Sequence, residues 1–459
     1  MLPDNVLLEI FDFYCKIEFL LEWEYQWHLL VHICRRWRQI VFASPHRLDL
    51  QIVCKRGTPV RKDLGIWPAF PVVIDYRYYD RDFAIPSSDE DNIIAALEHP
   101  DRVCYLELYV TNFQLEKMVT AMQVHFPLLT SLCIWGNGIT QILPSGFLGG
   151  SAPSLQTIFL IGVPFPTLPT LLSASDLVTL EIRHIPSTGY IAPEAMVMGL
   201  AALPRLESFP MGFQSVSSRP DRIRPPPSAT RTVLPALIRF EFQGASEYLE
   251  ALVAQIDGPQ LGQIDIHYFN QLAGFQAAQL SQFIDRSAGS ETTLIKHAHV
   301  IFYSDLVSLT MSPHANYPSS HRCQVIIRCE GTDWQVSHMA QVLSQISVAR
   351  SSVVHLQLEQ NLNLNSEETV TDDVEWLHLL HQFPTLRTLK VDRELARHVA
   401  PALEGTMETA AEVLPSLELI WIGGRRVDNF DTARRLSGRP VIVCTKKAFD
   451  ARFKFYVGK

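Results

Sequence analysis

The feature that most constrains this chain is an apolar triplet that recurs along most of its length. The triplet has the spacing L-x-x-L-x-L, and a proline usually stands two residues before it. Most steps between copies are about 24 to 31 residues long. The ten copies are Val103-Leu106-Leu108, Leu129-Leu132-Ile134, Leu155-Ile158-Leu160, Leu177-Leu180-Ile182, Leu206-Phe209-Met211, Leu237-Phe240-Phe242, Leu261-Ile264-Ile266, Val353-Leu356-Leu358, Leu386-Leu389-Val391 and Leu417-Ile420-Ile422. The prolines are Pro127, Pro153, Pro204, Pro235, Pro259, Pro384 and Pro415.

The spacing has a physical reason. The last two apolar residues of a triplet are two positions apart, so in a short strand they point to the same side. The first one, such as Leu129, stands at the turn into the strand and closes the end of the same core. One such unit cannot bury its apolar side alone, and copies must therefore stack. We expect a right-handed α/β solenoid in which short parallel strands alternate with helices.

The step length is that of leucine-rich repeats. Two copies also carry asparagine at the offset typical of that repeat, namely Asn137 and Asn361. Helical patterns between triplets would cover the other side of the strands. They are Leu115-Met118-Val119-Met122, Tyr248-Leu249-Leu252-Val253-Ile256 and Val336-Met339-Val342-Leu343-Ile346. The alternative is a generic α/β domain in which the leucine spacing is coincidental.

Two segments interrupt the repeats. Residues 215–231 (SVSSRPDRIRPPPSATR) are rich in proline and arginine, which predicts an exposed loop or linker; a basic contact for an acidic partner is the other interpretation. Between Lys296 and Arg328 we predict the strands His299–Tyr303 and Gln324–Cys329, separated by a loop that fits the triplet poorly.

The segments that flank the repeats have their own patterns. Val53–Trp67 is a basic connector and Phe70–Tyr79 is predicted to be a strand. An acidic turn at Ser87–Asn92 leads into a short predicted helix at Ile93–Glu98. At the far end, Pro440–Cys444 is predicted to form a strand, and the basic tail that follows would cap the solenoid.

The first helix of the chain is apolar around most of its circumference. Its polar residues form one narrow stripe: Asp4, Asn5, Glu9, Asp12 and Lys16. A helix of this kind needs burial on more than one side, and a unit of about fifty residues has only a small core to offer. The helix is therefore either buried inside one large domain or part of a small helical module that binds a partner.

A second helical pattern follows, with Leu30, Cys34, Trp37 and Val41 on one apolar face and Pro45 at its end. The order of these apolar residues along the first part of the chain resembles the F-box of the lineage-expanded F-box proteins of fungi. The residues that carry the resemblance also include Leu2-Pro3, Val6-Leu7, Ile10-Phe11, the continuation Phe42–Leu50 and Trp67-Pro68. The resemblance implies a three-helix module that docks on the small adaptor subunit of a cullin–RING (SCF-type) ubiquitin ligase. The residues that it implies for adaptor binding are Leu2, Pro3, Val6, Leu7, Ile10, Phe11, Leu30, Cys34 and Trp37.

Composition limits the other classes of function. The net charge of −9 argues against nucleic acid as the main partner. The eight cysteines are scattered without a C-x-x-C pair, which predicts reduced thiols in the cytoplasm or the nucleus. The sequence has neither a leader-like start nor an apolar run long enough to cross a bilayer. We therefore expect no membrane association.

Catalytic and metal-binding motifs are not found in the sequence. It contains no phosphate-binding loop of the G-x-x-x-x-G-K-[ST] type, no H-E-x-x-H and no G-x-S-x-G. His28 and His32, four residues apart with Glu24 one turn earlier, could face a metal on one helix. They are more simply surface or seam residues, and the same holds for His297 with His299 and for His378 with His381. We expect no metal, no cofactor and no catalytic residue.

These observations predict an α/β chain of three parts: an F-box-like module over residues 1–50, a connector over 51–100 and a leucine-rich-repeat-like solenoid over 101–459. The implied function is that of a non-catalytic substrate receptor whose solenoid binds an unknown target protein. The alternatives are a repeat scaffold with a degenerate F-box, and a hydrolase built on a Ser–His–Asp set or a Cys–His pair. The scaffold predicts that Leu7 and Phe11 are covered within the chain, whereas the receptor predicts that they stay partly exposed.

Overall fold

The computed structural model describes residues 2–17, 26–77, 85–150, 152–165, 174–215, 231–269, 277–287, 295–314, 322–329, 334–346, 352–361, 373–404, 414–422 and 442–445. The protein is a mixed α/β chain with helices and a large, mostly parallel sheet. It divides into two compact units, Met1–Ile191 with Met198–Leu206, and Ala192–Val197 with Glu207–Lys459.

The described residues of the first unit include six α-helices and six strands. The helices are α1 (Asp4–Ile17), α2 (Gln26–Ile33), α3 (Arg35–Ala43), α4 (Val60–Ile66), α5 (Ser87–Leu97) and α6 (Asn112–Ala121). The strands are β1 (Ile52–Lys55), β2 (Val72–Tyr76), β3 (Val103–Thr111), β4 (Ser131–Asn137), β5 (Thr157–Ile161) and β6 (Thr179–Ile185). The strands lie side by side in sequence order, and each pair of neighbours is parallel.

The strands of the second unit include one antiparallel hairpin. They are β7 (Ser208–Phe213), β8 (Thr232–Val233), β9 (Arg239–Gly244), β10 (Ile256–Asp257), β11 (Gln263–Tyr268), β12 (His297–Phe302), β13 (Leu306–Ser312), β14 (Cys323–Arg328), β15 (His355–Gln360), β16 (Thr388–Val391), β17 (Leu419–Ile422) and β18 (Ile442–Thr445). The order is β7-β9-β11-β14-β13-β12-β15-β16-β17-β18, and β8 pairs with β10 separately. Strand β13 runs antiparallel to both of its neighbours.

Helices accompany these strands. Helix α7 (Pro193–Leu200) lies between the two sets in sequence; it is followed by α8 (Ser246–Val253), α9 (Ala278–Ser287), α10 (Gln335–Gln345), α11 (Asp373–Leu380) and α12 (Arg393–Glu404). The three helices that the repeat pattern predicted are confirmed as α6, α8 and α10, although the last apolar residue of each pattern lies just beyond the helix end.

The apolar triplets lie in register on neighbouring strands. In the first unit Leu106 pairs with Leu132, which pairs with Ile158. The third triplet residues align in the same way, Leu108 with Ile134 and Ile134 with Leu160. In the second unit Phe209 pairs with Phe240 and Phe240 with Ile264. The last two residues of all ten triplets lie in strands and are buried. Since side chains alternate along a strand, the shared register places them in one continuous apolar layer per unit.

The prolines before the triplets form a repeated turn. The amide of Leu129 donates to the carbonyl of Phe126, and the same bond recurs from Leu155 to Ala152 and from Leu386 to Phe383. In each turn proline is the second residue, where its fixed φ suits the bend. The first triplet residue is therefore held in the turn before the strand, as predicted.

The regions outside the triplets differ from the prediction in two places. The interval between β12 and β14, predicted to be a loop, contains strand β13. Its buried Val307, Leu309 and Met311 alternate with residues on the other side of the strand and do not have the triplet spacing. The segment Ser87–Asn92 is the first part of α5 and not a turn; Asp89 and Glu90 lie in its first turn, where acidic side chains stabilise the helix dipole.

The remaining predictions concern the ends and the connector. The connector contains β1 and α4, and the predicted strand Phe70–Tyr79 is observed as β2, with residues 78–79 outside the described part. Residues 216–230 of the proline- and arginine-rich segment also lie outside the described residues, as does the tail 446–459. Strand β18 (Ile442–Thr445) includes residues 442–444 of the predicted terminal strand Pro440–Cys444.

Candidate protein-docking surface

The N-terminal helices α1, α2 and α3 pack on one another. Helix α1 starts directly after Pro3, whose carbonyl accepts the amide of Leu7 at 3.1 Å. Cys34 separates α2 from α3 and caps α3, because its Sγ accepts the Trp37 amide at 3.4 Å. The Cys34 side chain thereby satisfies one of the first amides of α3, which have no partner within the helix.

Two residues of the predicted adaptor site form the interior of this helical group. Leu7 is 5% exposed and Phe11 is 0% exposed. The Phe11 ring lies against Trp37, with 4.7 Å between ring centroids, and Leu30 of α2 is also buried. The expectation that Leu7 and Phe11 stay partly exposed is therefore wrong, since the other helices cover the side of α1 that carries them.

The other side of α1 carries an exposed apolar row, which we call the α1 ridge. It consists of Leu2, Val6, Ile10 and Phe13, which are 51%, 37%, 46% and 68% exposed. Residues spaced three or four apart lie on one helix face, so the ridge is continuous. Of the remaining predicted site residues, Pro3 and Cys34 are exposed and Trp37 is half-buried. A row of exposed large apolar side chains is typical of a surface that binds another protein.

Two ion pairs hold α1 in place. Arg36 donates its Nε to Asp4 Oδ1 at 3.0 Å and its Nη2 to the carbonyl of Leu2 at 2.6 Å. Arg47 pairs with Glu9. Exposed pairs of this kind contribute about 0–1 kcal/mol each. Their main effect is to orient the start of α1, and with it the ridge, against α3.

An aromatic cluster joins the helices to the connector. Trp27 of α2 lies edge-on to Trp67 at 5.2 Å and to Phe70 at 5.5 Å. Phe42 of α3 lies 6.1 Å from Trp67, and the indole Nε1 of Trp27 donates to the Gln51 carbonyl at 3.2 Å. Aromatic pairs at these distances add stability beyond the area that they bury. The resemblance pointed to Trp67-Pro68, but sequence reasoning did not assign the cluster; the concentration of aromatic residues was its only signal.

Arg102 ties the connector to the sheet. Its buried guanidinium donates Nε to the Phe70 carbonyl at 3.0 Å and Nη2 to the Pro68 carbonyl at 3.1 Å. The Arg102 carbonyl in turn accepts the Val72 amide at 2.7 Å, at the start of β2. Burial lowers the pKa of Arg102 from its usual value. The helices are thus anchored through Trp67 and Arg102 to the strands of the first unit.

The sheet of the first unit also presents a second candidate surface. On the side opposite the apolar layer, Tyr109 stacks on Trp135 with 5.0 Å between centroids. Arg77 binds Asp75 through Nη2 at 2.8 Å and lies 3.6 Å from Glu107. Burial raises the pKa of Glu107, while the hydroxyl of Tyr105 and the charge of Arg77 oppose this shift. The aromatic rings and Arg77 on this face are half-buried, whereas Asp75 and Glu107 are buried; a mixture of aromatic and charged groups suits contact with a protein.

The histidines considered as metal ligands have other surroundings. His28 stacks on Trp67 at 4.8 Å, and burial lowers its pKa. His32 is exposed, and Glu24 lies outside the described residues. Within the described part of the chain, no group of three or more His, Cys, Asp or Glu side chains is placed to hold a metal ion.

A Cys–His pair, which sequence spacing did not nominate, lies in the second unit. Cys329 Sγ and His338 Nδ1 are 3.2 Å apart, and both residues are buried. Burial raises the pKa of the Cys329 thiol to about 12 and lowers the pKa of His338. Nucleophilic cysteines need a stabilised thiolate, whereas this environment favours a neutral thiol beside a neutral imidazole. The pair therefore lacks the electrostatics of an activated nucleophile.

Comparison with known proteins does not assign a family. No protein-family model matches the chain, and no curated protein matches it. Among the described helices, none is both long and apolar enough to span a bilayer.

Proposed function

We propose that this protein is the substrate-recognition subunit of a cullin–RING (SCF-type) ubiquitin ligase. In this proposal residues 1–50 are an F-box that docks the adaptor subunit, residues 51–100 connect it, and residues 101–459 form a leucine-rich-repeat-like solenoid that binds a target protein. Ubiquitin transfer would be carried out by other subunits, so the chain itself would need no catalytic residue. Its place of action would be the cytoplasm or the nucleus.

The observation that carries the proposal is the α1 ridge. Leu2, Val6 and Ile10 belong to the residues that resemble the F-box, and they remain exposed although the helices pack on one another. Leu7, Phe11 and Leu30 would support the ridge from inside and would contribute to binding by positioning it. Complete burial of a valine or isoleucine side chain contributes about 1.5–3 kcal/mol. Val6 and Ile10 are 37% and 46% exposed, so each would gain a part of that free energy when an adaptor covers it.

The repeated register supports the second half of the proposal. Triplets that align on successive strands, most of them preceded by the same proline turn, are the arrangement expected of a repeat array. The hairpin of β12 and β13 would be an insertion in that array. The target would then meet the strand side, where polar and aromatic side chains alternate with the buried apolar ones.

The second candidate function is a scaffold without ligase activity. The complete burial of Phe11 and the near-complete burial of Leu7 favour it, because a helix that packs on its own chain does not need an adaptor. The two candidates differ in the role of the α1 ridge. Only the receptor requires its exposed residues for a complex.

The test is co-expression with the adaptor subunit, followed by gel filtration. We expect the wild-type chain to form a stoichiometric complex and Val6→Asp/Ile10→Asp to lose it, because two carboxylates would replace apolar contacts without entering the core. The matched control is Val124→Asp/Leu128→Asp, two exposed apolar residues of the same unit outside α1, which should keep the complex. A melting temperature for each variant verifies folding.

Other results would decide against the receptor. A folded wild-type chain that does not bind the adaptor would leave the scaffold as the better explanation. Equal loss in the α1 variant and in the control would indicate that the ridge is not the contact. The buried pair Leu7→Asp/Phe11→Asp is unsuitable for this purpose, since charges in the helical core would unfold the module.

A further inference from the structure

Two histidines of the second unit stack on each other across neighbouring parallel strands. His297 of β12 pairs in register with His355 of β15. Their ring centroids are 4.6 Å apart and their planes differ by only 13°. Both side chains are half-buried and lie on the side of the sheet opposite the apolar layer formed by Ala298 and Leu356.

Two cations flank this histidine pair at the start of the strands. The Lys296 carbonyl accepts the amides of Val354 and His355 at 2.9 Å each, so Lys296 lies on the rung just before the pair. The Arg387 amide donates to the Val354 carbonyl at 2.9 Å, which places Arg387 on the next strand of the same rung. Lys296 and Arg387 are both exposed. We call Lys296, His297, His355 and Arg387 the histidine patch.

The groups around the patch are mostly neutral or cationic. Ser312 of β13 lies opposite His297, with His314 two residues further on, and Thr388 of β16 lies opposite His355. The next residues along the same face are His299 and Gln357, and beyond them Lys390 donates to Gln357 Oε1 at 3.1 Å.

The carboxylates of these strands have partners of their own. Glu359 Oε2 lies 3.0 Å from His299 Nε2 and also accepts from Gln357. Glu418 lies 3.8 Å from Arg387, and both side chains are exposed. An exposed pair at that distance is weak, so Arg387 stays available to another anion.

This environment keeps the two imidazoles neutral. The pKa of His297 is lowered to about 4, mainly by burial and further by the neighbouring His355, His314 and Lys296. The pKa of His355 is also lowered, mainly by burial and further by the charges of Lys296 and Arg387. An anion placed between the cations would reverse the electrostatic part of these shifts, because it stabilises the imidazolium form.

We propose that the histidine patch binds an acidic segment of a protein, with carboxylates accepting hydrogen bonds from Lys296, Arg387 and the imidazoles, and that binding takes up protons. The acidic segment would belong to the target protein of the ligase, and that part of the inference rests on the proposed function. The binding chemistry does not depend on it. A nucleic acid is disfavoured as the anion because the chain as a whole carries a net charge of −9 and repels a long polyanion.

The test measures fluorescence anisotropy of fluorescein-labelled hexaglutamate with the full chain between pH 8 and pH 5.5. We expect the affinity to be constant at the upper end of this range and to rise once the pH falls below the pKa that the imidazoles acquire in the complex, by at most about tenfold per pH unit if one proton is taken up. The variant His297→Gln/His355→Gln should bind more weakly and with little dependence on pH. Lys296→Gln/Arg387→Gln, which leaves the imidazoles in place, should weaken binding and keep the pH slope. The control His378→Gln/His381→Gln, at exposed histidines of the same unit, should behave as wild type.

Several outcomes would overturn the inference. They are a wild-type affinity that does not change with pH, equal binding by the His297/His355 variant, equal binding of labelled hexalysine, and no binding of hexaglutamate at all. Binding of inorganic phosphate to the full chain is measured separately by isothermal titration calorimetry. If phosphate binds and the His297→Gln/His355→Gln variant loses it, while hexaglutamate does not bind, the acidic segment is refuted in favour of a phosphorylated one. Because the adaptor is absent from this assay, failure here is distinguishable from failure of the α1 ridge to bind it.

Discussion

Replacement of Phe11 by alanine tests the packing on which the docking surface depends. Phe11 is fully buried and lies 4.7 Å from the Trp37 ring. Truncation of a buried phenylalanine costs about 3–5 kcal/mol, because it removes apolar contacts and leaves a cavity. The aromatic pair itself accounts for about 0.5–1.5 kcal/mol of that. We therefore expect α1 to detach from α2 and α3 while the sheets remain folded.

Hydrogen exchange of the peptide that covers α1, read by mass spectrometry, measures this loss directly. A change of 3–5 kcal/mol corresponds to roughly 10²- to 4 × 10³-fold faster exchange, since every 1.4 kcal/mol is a factor of ten. Phe13→Ala is the matched control: the same residue type on the same helix, 68% exposed, and expected to change stability by less than about 0.5 kcal/mol. Similar exchange in both variants would refute the packing of α1. In a double-mutant cycle with Trp37→Ala, zero coupling would refute the Phe11–Trp37 contact.

Two further predictions concern the sheet of the first unit. In urea unfolding, Arg102→Ala should destabilise this unit by about 2–4 kcal/mol, because it removes the two hydrogen bonds that the charged guanidinium donates to the Phe70 and Pro68 carbonyls. In the same urea unfolding assay Arg205→Ala, at an exposed ion pair, should cost less than about 1 kcal/mol. Equal effects of the two changes would contradict the anchoring role of Arg102. Gly162→Ala should be more destabilising than Gly57→Ala in the same assay. Both glycines have positive φ, but a Cβ on Gly162 would lie 2.5 Å from the Gly136 carbonyl oxygen, whereas Gly57 has open space.

The strands were predictable because their pattern is local. Two apolar residues two apart, after a proline turn, define a strand that is buried on one side without any knowledge of its neighbours. The same reasoning missed β13, whose alternating Val307, Leu309 and Met311 are just as regular but belong to an antiparallel strand. The acidic start of α5 resembles a solvent-exposed turn in the sequence, because Asp89 and Glu90 identify a helix only through their favourable position at its N-terminus.

The side of α1 that forms the candidate docking surface was predictable only in part. Helical spacing places Val6 and Ile10 on one side of α1 and Leu7 and Phe11 on another, but it does not say which side packs on α2 and α3. The choice depends on contacts such as Phe11 with Trp37, which are 26 positions apart. The aromatic cluster around Trp67 and its attachment to Arg102 are of the same long-range kind.

By itself, the sequence determined the α/β class, the position of the repeated strands and the helical start, since each follows from periodicity within a few residues. Only the tertiary structure decided which apolar residues of α1 are core and which form the ridge. It also decided that Cys329 meets His338 and that His297 stacks on His355. Such contacts arise from strand register and helix packing, which are set by the chain as a whole and have no local signal in the sequence.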